Sequence, residues 1–172
     1  MYNLLVHNIN QNKLQDKIIP NNLGVFCFVG NGKMNSIDLD GGLGDVSKRY
    51  NEESNLGCNF GGICLGDDGE NIKLTTIDNM WLDDIGYIHC DAQGSENFIF
   101  SKGIETIKKY RPVILYENMD LYGRYMYNNV RKSYPNYIEE GMFDIKEYCM
   151  ETLHYSSYID GFNGGVDTLL IP

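Results

Sequence analysis

The sequence predicts an α/β domain whose sheet is mostly parallel. Two short and nearly continuous apolar runs, at residues 85–91 and 113–117, are typical of buried strands, and each ends in a carboxylate, Asp91 or Glu117. Between them, residues 95–110 carry apolar side chains at helical spacing. A strand, a helix and a second strand within about 30 residues predict a right-handed βαβ unit with parallel strands.

The chain before this unit predicts a helix, a hairpin and a long loop. Residues 2–14 place apolar side chains at near-helical steps. Residues 18–29 are rich in β-branched and aromatic side chains, and an Asn-Gly turn then leads to a short alternating run at 34–39, so we expect two paired strands. Residues 40–71 are rich in glycine and acids, which predicts a functional or mobile loop.

The remaining elements complete a single domain over residues 1–172, a usual length for one domain. We expect strands at 72–77 and 166–171 and helices at 121–134 and 144–153. Pro112 ends the helix of the βαβ unit, because the residue before a proline disfavours helical geometry. The uninterrupted apolar runs predict that helices cover both faces of the sheet.

Charge and hydropathy exclude several classes of partner. The chain has 14 basic and 24 acidic side chains, for a net charge of -10, and would repel the phosphates that a nucleic-acid-binding protein must neutralise. Its apolar runs fall short of the ~18 residues of a membrane span, and its start lacks the basic head and apolar centre of a signal peptide. We therefore expect a cytoplasmic protein that binds neither nucleic acid nor membrane.

The candidate site lies where the two strands of the βαβ unit end. In open parallel sheets, ligands bind beyond the carboxyl ends of the strands. A tight turn follows the first strand, and its glycine would let the backbone approach a ligand. The residues that we expect to line one crevice are Asp91, Gln93, Glu96, Glu117 and Asn118. The alternative is structural, since Asp91 or Ser95 could cap the helix and Glu117 could face solvent.

A nucleotide-binding loop and a zinc site are both less consistent with the spacing of the residues that they would need. Residues 36–45 combine apolar, acidic and glycine residues like a nucleotide-binding loop, but the chain that follows is too short for the βαβ units that should come next. The five cysteines are odd in number and irregularly spaced, which predicts buried thiols. A zinc site at Cys58, Cys64, His89 and Cys90 fits no familiar spacing, so we expect no metal, and we expect His89 to lie in the core. The thirteen tyrosines leave a sugar-binding protein as a further alternative.

Three segments, at residues 76–84, 88–96 and 103–117, together resemble the FkbM-type methyltransferases. That family carries a threonine-leucine-aspartate-aspartate-like element and a strand ending in isoleucine-aspartate-valine-glutamate-glycine-alanine-glutamate. A helix, a basic residue followed by proline, and a strand ending in glutamate come next. The residues of this chain that match are Asp91, Gly94, Glu96, Gly103, Pro112 and Glu117, whereas Gln93 stands where the family usually has glutamate.

The resemblance implies a Rossmann-like class I methyltransferase fold and S-adenosylmethionine as the methyl donor. It implies O-methylation of a small-molecule or glycan hydroxyl, for which positioning is decisive and a nearby acid can take the proton. The catalytic residues implied are Asp91, Glu96 and Glu117. The cofactor-binding residues implied are Asp91, Gln93 and Gly94.

The resemblance begins at about Asn3 and does not include the family's first two strands or its aspartate-x-glycine-alanine-asparagine loop. We therefore expect an incomplete methyltransferase domain whose sheet has an unpaired edge, through which two chains could form a homodimer. The alternative is a noncatalytic binding or assembly module on a degraded methyltransferase scaffold, because a fold does not guarantee an activity.

Overall fold

The computed structural model describes residues 2–35, 63–118, 125–162 and 165–172, without the side chains of residues 125–128. Most of the predicted glycine-rich loop, the loop at residues 36–45, most of the strand at 34–39 and Cys58 lie outside these ranges. The helices are α1 (Tyr2–Gln11), α2 (Glu96–Ser101), α3 (Ile104–Tyr110), α4 (Tyr125–Ser133) and α5 (Ile145–Glu147), which continues into a π-helical turn, Tyr148–Thr152. The strands are β1 (Gly24–Val25), β2 (Gly30–Met34), β3 (Leu65–Gly66), β4 (Asn71–Thr75), β5 (Tyr87–Cys90), β6 (Val113–Glu117), β7 (Ser157–Phe162) and β8 (Asp167–Ile171).

The strands form two small mixed sheets, so the prediction of one mostly parallel, Rossmann-like sheet is wrong. The first sheet has the order β1-β4-β2-β3, in which β1 and β4 are parallel and β2 is antiparallel to both of its neighbours. The second sheet has the order β5-β6-β8-β7, in which β8 is antiparallel to β6 and to β7. The connection from β7 to β8 is short, and a short connection can join neighbouring strands only in antiparallel fashion.

The predicted pairing of β5 with β6 is confirmed. These two strands are parallel, and Cys90 lies opposite Tyr116 in the register. The helix predicted at 95–110 is instead two helices, α2 and α3, which are separated at Lys102 and Gly103. A Cβ atom on Gly103 would lie 2.8 Å from Ile77 Cδ1, so the chain bends there against a neighbour that leaves no room for a side chain.

The first sheet and the C-terminal region differ from the prediction in three ways. The turn predicted at Asn31-Gly32 is wrong, because both residues lie within β2, which pairs with β3 and β4. The predicted partner strand at 34–39 lies mostly outside the described residues, and β1 pairs with β4. β3 lies inside the region predicted to be a loop, and β7 was not predicted at all. The side chains of β7 are largely exposed, so this strand lacks the apolar pattern that marks a buried one.

Among the residues that the structure describes, the core lies on one face of the second sheet, and the other face does not show the burial that was predicted for both. Helices α2, α3 and α5 all pack on the face that carries Ile114, Tyr116 and Leu170. The opposite side, which we call the open face, consists of Tyr87 and His89 on β5, Val113 and Leu115 on β6, Ser157 and Ile159 on β7, and Leu169 and Ile171 on β8. Tyr87 is 53% exposed and Ile159 is 46% exposed, and no residue of the open face belongs to the core.

A second cluster of buried side chains joins the first sheet to the helices. Phe26, next to β1, stacks on Phe98 of α2 with 4.9 Å between the ring centroids, and Val130 of α4 is fully buried beside them. The end of the first sheet is thereby held close to the start of α2. None of the helices in the described ranges has both the length and the apolar character that crossing a membrane requires.

Candidate functional site

The two predicted acids lie side by side at the carboxyl ends of β5 and β6. Because Cys90 and Tyr116 are register partners in this parallel pair, the residues that follow them, Asp91 and Glu117, come next on the same two strands. Asp91 is exposed and Glu117 is half-buried. The sequence therefore predicted correctly that these carboxylates belong to one edge of the sheet.

The side-chain amide of Gln93 joins these two carboxylates. Gln93 Nε2 donates hydrogen bonds to Asp91 Oδ1 at 2.9 Å and to Glu117 Oε2 at 3.2 Å. A primary amide has two N–H donors, so both are used in this pair of contacts, which we call the Gln93 bridge. Gln93 is only 8% exposed, so a neutral donor shielded from solvent separates two negative charges.

The turn that carries Gln93 has an unusual backbone. Gln93 has φ 51° and Gly94 has φ 87°, and Ser95 N donates to Ala92 O at 3.2 Å to close the turn. The left-handed conformation costs a residue with a Cβ atom about 1–2 kcal/mol and costs glycine little. Gly94 thus serves the shape of the turn, while Gln93 occupies a conformation that other contacts must stabilise.

Glu96 is buried beneath this turn. It is 1% exposed, and its Oε1 accepts a hydrogen bond of 2.7 Å from the backbone N–H of Ala92. Its Oε2 is also buried and has no hydrogen-bond partner among the described residues. Burial, with a smaller contribution from the nearby charge of Asp91, raises the pKa of the Glu96 carboxyl to about 7, although hydrogen bonds from backbone N–H groups lower it.

A cavity of about 470 Å³ extends from the Gln93 bridge between residues of both sheets. Asp91, Ala92, Gln93 and Ser95 line it at the end of β5, but Gly94, Glu96 and Glu117 do not. Most of the remaining wall is apolar and includes Val25, Met34, Leu65, Ile72, Ile77 and Ile88. A largely apolar cavity of this size with a few polar groups at one end suits a small organic ligand. We call it the pocket.

Two thiols also line the pocket. Cys64 and Cys90 are both buried there, and burial raises the pKa of each thiol, so they are neutral groups in an apolar wall. The described parts of the chain contain no group of three or more His, Cys, Asp or Glu side chains placed to hold a metal ion. His89 borders the pocket but is exposed on the open face, so the prediction that it lies in the core is wrong.

The structure adds site residues that the sequence did not indicate. Asp167 of β8 is the register partner of Glu117, which places a third carboxyl group at this edge of the second sheet. Asn118 Nδ2 donates to Thr168 Oγ1 at 3.0 Å, and that hydroxyl donates to Asp160 Oδ1 at 2.7 Å. These contacts depend on β8 lying between β6 and β7, and no local pattern in the sequence indicates that order.

A second cavity, also of about 470 Å³, is lined mainly by polar residues. Asn97 and Asn118, which directly follow Glu96 and Glu117 in the chain, line it together with Asp144, Glu147, Tyr158 and Asp160. Amides, carboxylates and aromatic rings are the groups that bind hydroxyl-rich molecules. We call it the polar cavity.

Comparison of the chain with family models, with curated proteins and with solved structures finds no match. The resemblance to the FkbM-type methyltransferases therefore rests on the residues quoted above and remains a prediction.

Proposed function

We propose that this chain binds S-adenosylmethionine in the pocket and transfers its methyl group to a hydroxyl of a small molecule or glycan. In this proposal Asp91 accepts the hydroxyl proton. The residue pattern of the FkbM-type methyltransferases suggests the reaction, and the Gln93 bridge is the observation that carries it. Asp91 lines the pocket, and the Gln93 amide joins its carboxylate to that of Glu117, so one of the two joined carboxylates is placed to act on a bound molecule.

The pocket fits the chemistry of the methyl donor. Its volume of about 470 Å³ and its apolar wall suit a nucleoside with a flexible tail. When bound, S-adenosylmethionine supplies an electrophilic methyl group on a positively charged sulfur. Asp91 lines the pocket and Glu117 lies beside it in the Gln93 bridge, so two negative charges favour a cation at this end of the pocket.

Each residue of the site has a separate task in this proposal. Asp91 Oδ1 is taken by Gln93, which leaves Oδ2 to accept a proton from a hydroxyl group. Glu117 binds the second N–H of the same amide and so fixes its orientation. The polar cavity, with Asn97 and Asn118, offers a place for a hydroxyl-rich acceptor.

Calorimetric titration with S-adenosylmethionine tests the proposal. We expect binding that is stronger for S-adenosylmethionine than for S-adenosylhomocysteine, because only the former carries the positive sulfonium. Replacing one carboxylate, in Glu117→Gln, should reduce this preference several-fold. The matched change Glu105→Gln, at an exposed position of α3, should leave it unchanged. The absence of heat at millimolar concentrations of the cofactor, with a folded chain, would contradict the proposal.

The open face supports a second candidate function, a noncatalytic assembly module that pairs with a second copy of itself. Val113, Leu115, Leu169 and Ile171 form a neutral centre on this face of a chain with net charge -10. Two such faces can meet without bringing acidic side chains together, and sheets pack well face to face. Light scattering of concentrated protein tests this candidate, because a strictly monomeric chain would contradict it.

A further inference from the structure

We propose that Glu96 is a positioning residue: its buried carboxyl group holds the Ala92–Ser95 turn and thereby sets the Gln93 amide between Asp91 and Glu117. The resemblance implies a catalytic Glu96, but its side chain does not line the pocket. The effect on catalysis rests on the proposed methyl transfer. The hydrogen bond between Ala92 and Glu96, which defines the role of Glu96, is independent of that proposal.

The turn needs an external contact to keep its shape. Gln93 lies in the left-handed region, at φ 51°, which disfavours it by about 1–2 kcal/mol relative to ordinary backbone. One hydrogen bond within the turn, from Ser95 N to Ala92 O, opposes that cost. The contact from Ala92 N–H to Glu96 Oε1, at 2.7 Å, ties the first residue of the turn to the first residue of α2.

The groups around Glu96 make this contact sensitive to pH. Burial is the main cause of the raised pKa values of Glu96, Cys64 and Cys90. Among charged neighbours, Asp91 adds to the shift of Glu96, and Glu96 adds to the shifts of the two thiols, which stay neutral. The charged residues of the other elements packed on α2 have partners elsewhere or lie in solvent. Glu140 Oε1 forms an ion pair with Lys102 Nζ at 3.3 Å. Lys146 Nζ forms another with Asp160 Oδ2 at 2.5 Å. The side chain of Glu147 is exposed.

Ionised Glu96 should hold the turn more tightly than the protonated form. A carboxylate accepts a stronger, charge-assisted hydrogen bond from Ala92 N–H than a neutral carboxyl group does. With burial raising the pKa of Glu96 to about 7, the change of state falls near neutral pH. Binding of a cation such as S-adenosylmethionine should therefore strengthen several-fold as the pH rises through this value.

Nuclear magnetic resonance of the full chain tests the contact without any ligand. We expect the backbone amide of Ala92 and the side-chain amide of Gln93 to shift together, with a midpoint near 7, in a titration from about pH 5 to about pH 9. In Glu96→Gln, which keeps an acceptor oxygen but cannot ionise, both signals should be independent of pH. His89→Gln serves as the control for the nearby imidazole and should leave the wild-type titration in place.

The outcomes separate this proposal from the proposed function. A flat Ala92 signal in the wild-type chain, or a Gln93 titration that persists in Glu96→Gln, would overturn the role of Glu96. An Ala92 titration in a chain that binds no S-adenosylmethionine would support that role and reject the cofactor. Cofactor binding that strengthens with pH in the wild-type chain and not in Glu96→Gln would support both.

Discussion

Gln93 reaches from the turn after β5 to Glu117 at the end of β6, with 3.2 Å between Nε2 and Oε2. The same amide nitrogen also donates a hydrogen bond to Asp91, so one neutral group donates to both carboxylates. A glutamate, which the FkbM-type pattern usually has at this position, could not make these contacts when ionised, because a carboxylate only accepts hydrogen bonds. The glutamine therefore suits the arrangement of acids that surrounds it.

Gln93→Glu should weaken both the site and the fold. The change removes two hydrogen bonds and places a third negative charge in a region shielded from solvent, so we expect a loss of about 1–3 kcal/mol in the free energy of unfolding at neutral pH. Chemical denaturation at neutral and at acidic pH measures this loss, which should shrink when the carboxyl groups are protonated. Gln93→Met, similar in size but unable to donate, is the matched control and should not show that recovery.

Asp91→Asn should abolish methyl transfer while the chain stays folded. Asparagine keeps the size of the side chain but cannot take the proton of the acceptor hydroxyl, and loss of a general base costs about 100-fold to 10,000-fold in rate. Single-turnover transfer of a labelled methyl group, with circular dichroism as the control for folding, measures the effect. Turnover at the wild-type rate would remove Asp91 from the mechanism.

The stability of the chain should fall as the pH rises from about 4.5 to about 7, because ionised Glu96 is disfavoured in the folded state. Burial raises its pKa from 4.5 to about 7, so the folded chain binds the proton more tightly than the unfolded chain does. At about 1.4 kcal/mol for each tenfold change in proton affinity, the loss of stability is on the order of 3 kcal/mol, and it does not grow above pH 7. Glu96→Gln should lose this slope in denaturation measured across the range, and an unchanged slope would assign the effect to other groups.

Truncation of neighbouring residues on β6 should distinguish the two faces of the second sheet. Ile114 is fully buried against the helices, so Ile114→Ala should cost about 2–5 kcal/mol. Leu115, the next residue, lies half-buried on the open face, and Leu115→Ala should cost clearly less. Equal losses in denaturant unfolding of the two variants would mean that the open face is covered in solution.

Local patterns were sufficient to predict the elements that carry the site. The apolar runs at β5 and β6 and the helical spacing between them depend on residues close in the chain, and β6 has the predicted bounds, Val113–Glu117. The neighbouring positions of Asp91 and Glu117 follow from parallel pairing. The interruption between α2 and α3 was not predicted. It falls at Gly103, against which Ile77, a residue distant in the chain, packs closely.

Local patterns in the chain indicated two parallel strands joined by a helical crossover, with an acid at the end of each, since these features depend on side-chain periodicity and on the length of one crossover. The assignment of β4 and β5 to different sheets, the antiparallel position of β8 beside β6 and the open face of the second sheet among the described residues all depend on contacts between distant parts of the chain. The tertiary structure also placed Glu96 beneath the turn and outside the pocket. An apolar run indicates that a strand favours burial, but the helices that bury it come from other parts of the chain. In this sheet α2, α3 and α5 pack on the same face.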